Sequence, residues 1–233
     1  MSSISQSQLT FESGGKPIRL DAYLPASNGL VPAVIALHGA GGDVLGMDRS
    51  AALLAGQGFA VYVLHYFDRT DNSYADKPTI LRCFPIWMKT LWAAVSFVET
   101  QPGADPGRIG LLGFSLGAYL SLANSSIDGR VKAVVEFFGG LPREMKLFMR
   151  RLCPTLILHG EADPTVPVAE AYSLQQLFEQ KRVPYEMKVY PGAGHGFEND
   201  VWMDAGPRVL HFLQKHLAAP PTANIKNNET ASP

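Results

Sequence analysis

Short apolar runs alternate along the chain with longer stretches in which apolar positions recur at helical spacing. RLDAYL (19–24) alternates with period two, and PAVIALHG (32–39) is a continuous β-rich apolar run of the kind a strand covered on both faces requires. MDRSAALLAGQG (47–58) has helical periodicity, with Gly56 and Gly58 marking its end, and FAVYVL (59–64) again reads as a buried strand. A polar loop over 65–78 leads to a helix over 80–101, whose first turns Pro85 is expected to break or kink. RIGLLGF (108–114) and VKAVVEFF (131–138) read as strands separated by the helical AYLSLANSS (118–126). PTLILHG (154–160) and PYEMKVYPG (184–192) read as strands flanking a helix over 168–182, and a last helix covers 200–217, with Pro207 as a possible interruption.

Strand followed by helix throughout predicts an α/β fold with a mostly parallel sheet covered on both faces, and active groups in loops beyond the carboxyl ends of the strands. No repeat of solenoid or propeller length is visible. A chain of 233 residues without an internal linker predicts one domain over 1–218, followed by a tail over 219–233 whose near absence of apolar residues predicts disorder.

Composition narrows the function classes. Hydrophobic residues make up 46% and charged residues 18%, with 20 basic and 21 acidic side chains giving a net charge of −1. No Lys/Arg cluster supplies an electrostatic footprint for nucleic acid, so a small-molecule partner is expected. MSSISQSQLTFESGGK lacks the basic and apolar regions of a signal peptide and no apolar stretch approaches a membrane span, which predicts no membrane association and a cytoplasmic location. Cys83 and Cys153 are too few for a disulfide framework and have no metal-type spacing, so two reduced thiols and no metal site are expected.

GFSLG (113–117) places one serine between two glycines where a strand should end and a helix begin, the setting in which GxSxG forms a nucleophile elbow. Side chains two residues either side of so sharp a turn would collide with the neighbouring strand and helix, and glycine removes them. The turn exposes the Ser115 hydroxyl and aims a helix N-terminus at the reaction centre.

A serine hydroxyl needs a base. Of the six histidines, His211 and His216 fall on the last helix, His38 and His159 follow strands where backbone hydrogen bonds occupy an imidazole, and His65 either lines a pocket or packs in a loop. His195 lies in PGAGHGFEN, between the last strand and the last helix, where a base above the sheet has to sit. The third member is assigned to Asp163 of HGEADPTVP, a residue that also suits an Asx-turn or helix cap. Glu161 and Glu136 compete for the same task, and Glu136, on an apolar strand end, otherwise needs another partner or a raised pKa. The order Ser115, Asp163, His195 is that of an α/β hydrolase. HGAGG (38–42) offers backbone donors for an oxyanion, assigned to the amides of Ala40 and Leu116. It satisfies neither GxxxxGK[ST] nor GxGxxG, so no cofactor is expected.

Together HGAGG, GFSLG, HGEADPTVP and GAGHGF resemble the dienelactone hydrolase family of α/β hydrolases over roughly positions 9–217. The resemblance implies a single α/β-hydrolase domain with a minimal lid and hydrolysis of a small-molecule carboxylic ester or lactone through an acyl-enzyme. A peptidase or thioesterase on the same scaffold, or a non-catalytic binding protein, is the alternative. The namesake enzymes carry a cysteine nucleophile held by a glutamate, and arginines for the substrate carboxylate. Here Ser115 takes the nucleophile position and the histidine loop continues FEND with no arginine following at once, leaving Arg69 and Arg82 as candidates for an acidic substrate. The loop over 65–78, with Tyr66, Phe67 and Tyr74, and the segment 139–149 are expected to wall the pocket, with ordinary packing as the alternative for most of these aromatics; the oligomeric state is open between monomer and dimer.

Overall fold

The computed structural model describes residues 3–218 apart from 43, 45 and 146–148. The tail expected to be disordered therefore lies outside the described residues. One eight-stranded sheet organises the rest, in the order β1-β2-β4-β3-β5-β6-β7-β8. Its strands are β1 (Ile4–Ser13), β2 (Lys16–Pro25), β3 (Val31–Leu37), β4 (Ala60–Leu64), β5 (Ala104–Phe114), β6 (Val131–Phe137), β7 (Thr155–Gly160) and β8 (Tyr185–Tyr190). From β4 through β8 the pairing is parallel, as expected.

The expectation of strand and helix alternating throughout fails at the start of the chain. Residues 4–13 form a strand antiparallel to β2, and β2 is antiparallel to β4. Ser13 and Lys16 close the hairpin around Gly14 and Gly15, whose φ values of 54° and 76° make the two-residue turn that matches strand twist. β1 buries only Phe11 and Ser13 and is rich in Ser and Gln, so it lacks the apolar run that betrays a buried strand.

Helices cover both faces: α1 (Met47–Ala55), α2 (Lys77–Glu99), α3 (Leu116–Ser125), α4 (Ala169–Lys181) and α5 (Asn199–His216). Alternate residues of each strand point to opposite faces. Ala33, Ile35, Leu37, Leu111 and Ile157 therefore join the core under α2, α3 and α4, while Val34, Ala36, Leu112, Val135 and Leu158 join the one under α1 and α5.

Neither proline interrupts its helix. α2 begins at Asp76, whose carboxylate accepts from the Thr79 amide over 2.9 Å, and runs on through Pro85; α5 runs on through Pro207. Each ring deprives the carbonyl four residues earlier of its donor. Those carbonyls belong to Leu81 and Met203, residues 72% and 79% exposed, so each missing bond falls on the solvent side of its helix. Among the described residues no helix is long and apolar enough to cross a membrane. Cys83 and Cys153 are buried free thiols.

Candidate active site

Ser115 sits between β5 and α3 with φ 51° and ψ −114°, a backbone conformation costing a non-glycine residue roughly 1 to 3 kcal/mol. The surroundings enforce it. The Ser115 amide donates to Phe137 O over 2.9 Å, and the flanking glycines leave no space for side chains. A Cβ on Gly113 would stand 2.3 Å from Gly117 O, and one on Gly117 would stand 2.4 Å from Leu37 O. A serine at a helix N-cap ordinarily accepts from the first-turn amides, but Ser115 makes no such bond, which leaves its hydroxyl for another partner.

That partner is His195. Its Nε2 lies 3.0 Å from Ser115 Oγ, and its Nδ1 lies 2.8 Å from Asp163 Oδ2. The two loops that carry His195 and Asp163 are stitched together by the Glu161 amide donating to Tyr190 O over 3.0 Å and the Ala162 amide donating to Ala193 O over 2.9 Å. The Asp163 side chain is fully buried. Burial pushes its pKa upward, but the Val166 amide, the His195 imidazole and the Thr165 amide together outweigh burial and hold the carboxylate below its ordinary value.

The remaining assignments separate cleanly. His38 Nδ1 meets Gly39 O at 2.8 Å, His159 Nε2 donates to Val166 O over 2.9 Å, and His65 Nε2 pairs with Asp21 Oδ2 at 2.5 Å. Burial lowers the pKa of His159, keeping it neutral. His211 and His216 lie on α5. Glu161 is exposed. Glu136, one residue before the end of β6, lies beneath the elbow, fully buried: Oε2 accepts from the Gly139 amide over 2.8 Å, Oε1 has no partner, and burial pushes the carboxyl up to about 8. Arg69 lies against the β1–β2 turn at Gly14, and Arg82 is exposed on α2, so the structure brings neither to Ser115.

Behind the serine, Gly39 closes on the elbow, where a Cβ would touch the Ser115 Cβ at 3.4 Å. Ala40 follows it, and the Leu116 amide opens α3, where no earlier helical carbonyl is in position to accept it. The HGAGG segment is braced from the 65–78 loop: Tyr66 Oη donates to His38 O and the Ala75 amide to Ala40 O, each over 2.9 Å. Of the two readings of Tyr66 and Phe67, pocket wall or packing, the second holds. Both are buried in ring contact with His38 and Trp87, whereas Tyr74 is 63% exposed. Of the other expected wall, residues 146–148 lie outside the described residues.

Phe138 is the residue that sequence reasoning missed. Its ring centroid stands 4.7 Å from that of His195, and its φ of 42° turns the chain away from β6. The only signal was the Gly-Gly that follows; VKAVVEFF reads equally well as uninterrupted strand.

Among solved structures, a dienelactone hydrolase-like promiscuous phosphotriesterase from metagenomic libraries superposes with TM-score 0.80 at 18% identity, over 92% of this chain and 99% of that one. A puromycin-hydrolysing peptidase of Mycobacterium tuberculosis gives TM-score 0.75 at 20% identity, over 95% of this chain and 40% of the peptidase. At such identities the likeness is one of fold. In sequence, 122 residues are 36% identical to acyl-coenzyme A thioesterase 5 of Mus musculus, a match over 52% of this chain that spans only 27% of the thioesterase. The model of the dienelactone hydrolase family matches residues 20–207, well over half of the sequence, and the chain belongs to that family.

Proposed function

We propose that the protein hydrolyses small-molecule carboxylic esters or lactones through an acyl-enzyme on Ser115. The observation that carries this reading is the continuous hydrogen-bonded line from Ser115 Oγ through His195 to the buried carboxylate of Asp163, at 3.0 and 2.8 Å. In that arrangement His195 Nε2 takes the hydroxyl proton as Ser115 Oγ attacks the carbonyl carbon, and Asp163 fixes the tautomer and stabilises the imidazolium. The Leu116 and Ala40 amides receive the oxyanion, a contribution of about 3 to 4 kcal/mol for each donor. Collapse of the tetrahedral intermediate expels the alcohol, protonated by His195; a lactone's alcohol stays tethered to the acyl group. Water, deprotonated by the same imidazole, then releases the acid and restores Ser115.

The similarity to an acyl-coenzyme A thioesterase favours a thioester as second reading. The same residues suffice for it, since a thiolate leaves with less help from an acid. A chromogenic ester, a thioester and a peptide amide assayed side by side, with Ser115→Ala as control, separate these readings. An organophosphonate probe should add covalently to Ser115, detected by mass; absence of the adduct would leave a non-catalytic binding protein.

A further inference from the structure

α1 packs on β2 and β4, and α5 on β6 and β7, so the sheet's two central strands, β3 and β5, lie beneath the space between these helices. That space is a cleft of about 440 Å³, within the range of small-molecule sites. Its floor is Ala36, Leu112 and Phe114, and its sides are Leu54, Trp202 and Leu210. It shares Phe114, Trp202 and Gly206 with a second hollow of about 790 Å³ that extends to His38 and Gly39. Phe114 immediately precedes Ser115, and Gly39 abuts it. An apolar trench thus runs from Gly39, which neighbours the elbow serine, down one face of the sheet; Ser115 and His195 do not themselves line it.

Two features keep it open. Gly206 borders both parts of the trench, and a Cβ built there meets nothing within 4 Å. Leu53 and Met203, 65% and 79% exposed, flank the opening without covering it. A charged or zwitterionic group would leave its solvation unreplaced against such walls, whereas each methylene that enters sheds apolar surface from water.

We propose that this trench binds the acyl chain of the substrate, an unbranched saturated chain of medium length whose carbonyl lies at Ser115 and whose tail runs between α1 and α5. At roughly 30 Å³ for each water-sized group, the 440 Å³ of the inner cleft corresponds to about fifteen such groups, enough space for a medium-length tail. The inference rests on the serine-hydrolase reading and narrows its substrate class to aliphatic acyl esters or thioesters. The occupant is chosen by continuity: the trench opens beside the residue proposed to carry the acyl group, and nothing in its lining offers a charged partner deeper than Arg49 at the rim.

Hydrolysis of p-nitrophenyl acetate, butyrate, hexanoate and octanoate by the full chain tests it. The expected kcat/KM rises about fourfold for each methylene buried. Gly206→Phe and Ser50→Trp fill the trench from facing helices, and each is expected to lower the octanoate-to-acetate ratio of kcat/KM at least tenfold; circular dichroism identifies which variants fold. A flat series, or a ratio untouched in the folded variants, overturns the proposal while leaving the hydrolase reading intact. If no ester is turned over, that reading fails, and calorimetric titration of decanoate decides the trench alone: binding lost in Gly206→Phe supports it, and no binding overturns it. A dimer in sedimentation that Leu53→Glu dissociates, with a flat ester series, assigns the trench to a second copy and also overturns it.

Discussion

The Val166 amide donates to Asp163 Oδ1 over 2.9 Å, so the carboxylate that holds His195 through Oδ2 also closes the turn leading towards α4. The Asx-turn and the partnership with His195 were rival readings of one residue; its two oxygens divide them. Asp163→Asn keeps an oxygen for the Thr165 and Val166 amides but sets an NH2 against His195 Nδ1, which forces the tautomer that cannot take the serine proton. The expected outcome is a loss of about 10⁴-fold in kcat on an accepted ester, with an unfolding midpoint close to that of the parent.

Gly117 is the tightest point of the elbow. A methyl there would meet both Leu37 O and His38 O, 2.4 and 2.6 Å from the built Cβ, and both are strand-end backbone atoms that cannot swing aside. Gly117→Ala should cost at least about 3 kcal/mol in urea unfolding.

Strain at Ser115 predicts an opposite pair of effects. Ser115→Gly relieves the φ of 51° and should stabilise the fold by about 1 to 3 kcal/mol while reducing ester turnover by about 10⁶-fold. Ser115→Ala loses the same activity but keeps a Cβ, so it should gain no such stability. Thermal melts of the two variants check this.

Glu136 predicts a pH dependence of stability. Its carboxyl is pushed from 4.5 to about 8, so between those values the unfolded chain has released a proton that the folded one retains. Stability contributed by the neutral, buried carboxyl is complete below about 4.5 and is lost as the pH rises through about 8, at a slope of about 1.4 kcal/mol per unit. Glu136→Gln removes that slope while its amide oxygen still accepts from Gly139. Urea unfolding at pH 5 and pH 8 should show the variant gaining on the parent at the higher pH.

The legible parts of this molecule are those where one local rule acts alone. Buried strands such as Ala60–Leu64 announce themselves because both faces are covered, and the serine elbow does so because no side chain fits at Gly113 or Gly117. β1 was illegible because this edge strand is mostly exposed and its covered apolar positions come down to Leu9 and Phe11, whereas its partner, β2, shows itself in the period-two run RLDAYL. Pro85 and Pro207 misled because a ring that faces solvent breaks no buried hydrogen bond. Tyr66 and Phe67 kept two readings because an aromatic in a polar loop looks the same whether it faces a ligand or the back of the HGAGG segment. Ser115, Asp163 and His195 could be paired from motif order, but the angle of Phe138 over the imidazole depends on a single backbone dihedral that no pattern records.

The proposed base and nucleophile hang from unequal supports. Ser115 follows β5, which is paired on both sides in the middle of the sheet, whereas His195 follows β8, the outermost strand, paired with β7 alone. Opening starts where a cooperative unit has fewest neighbours. Peeling of that rim carries the imidazole away while the elbow stays folded, and inactivation on warming is expected to run ahead of the far-ultraviolet melt. Durability in use is then set by a six-residue border strand, and a cross-strand staple between β7 and β8 would lengthen working life more than further filling of the centre.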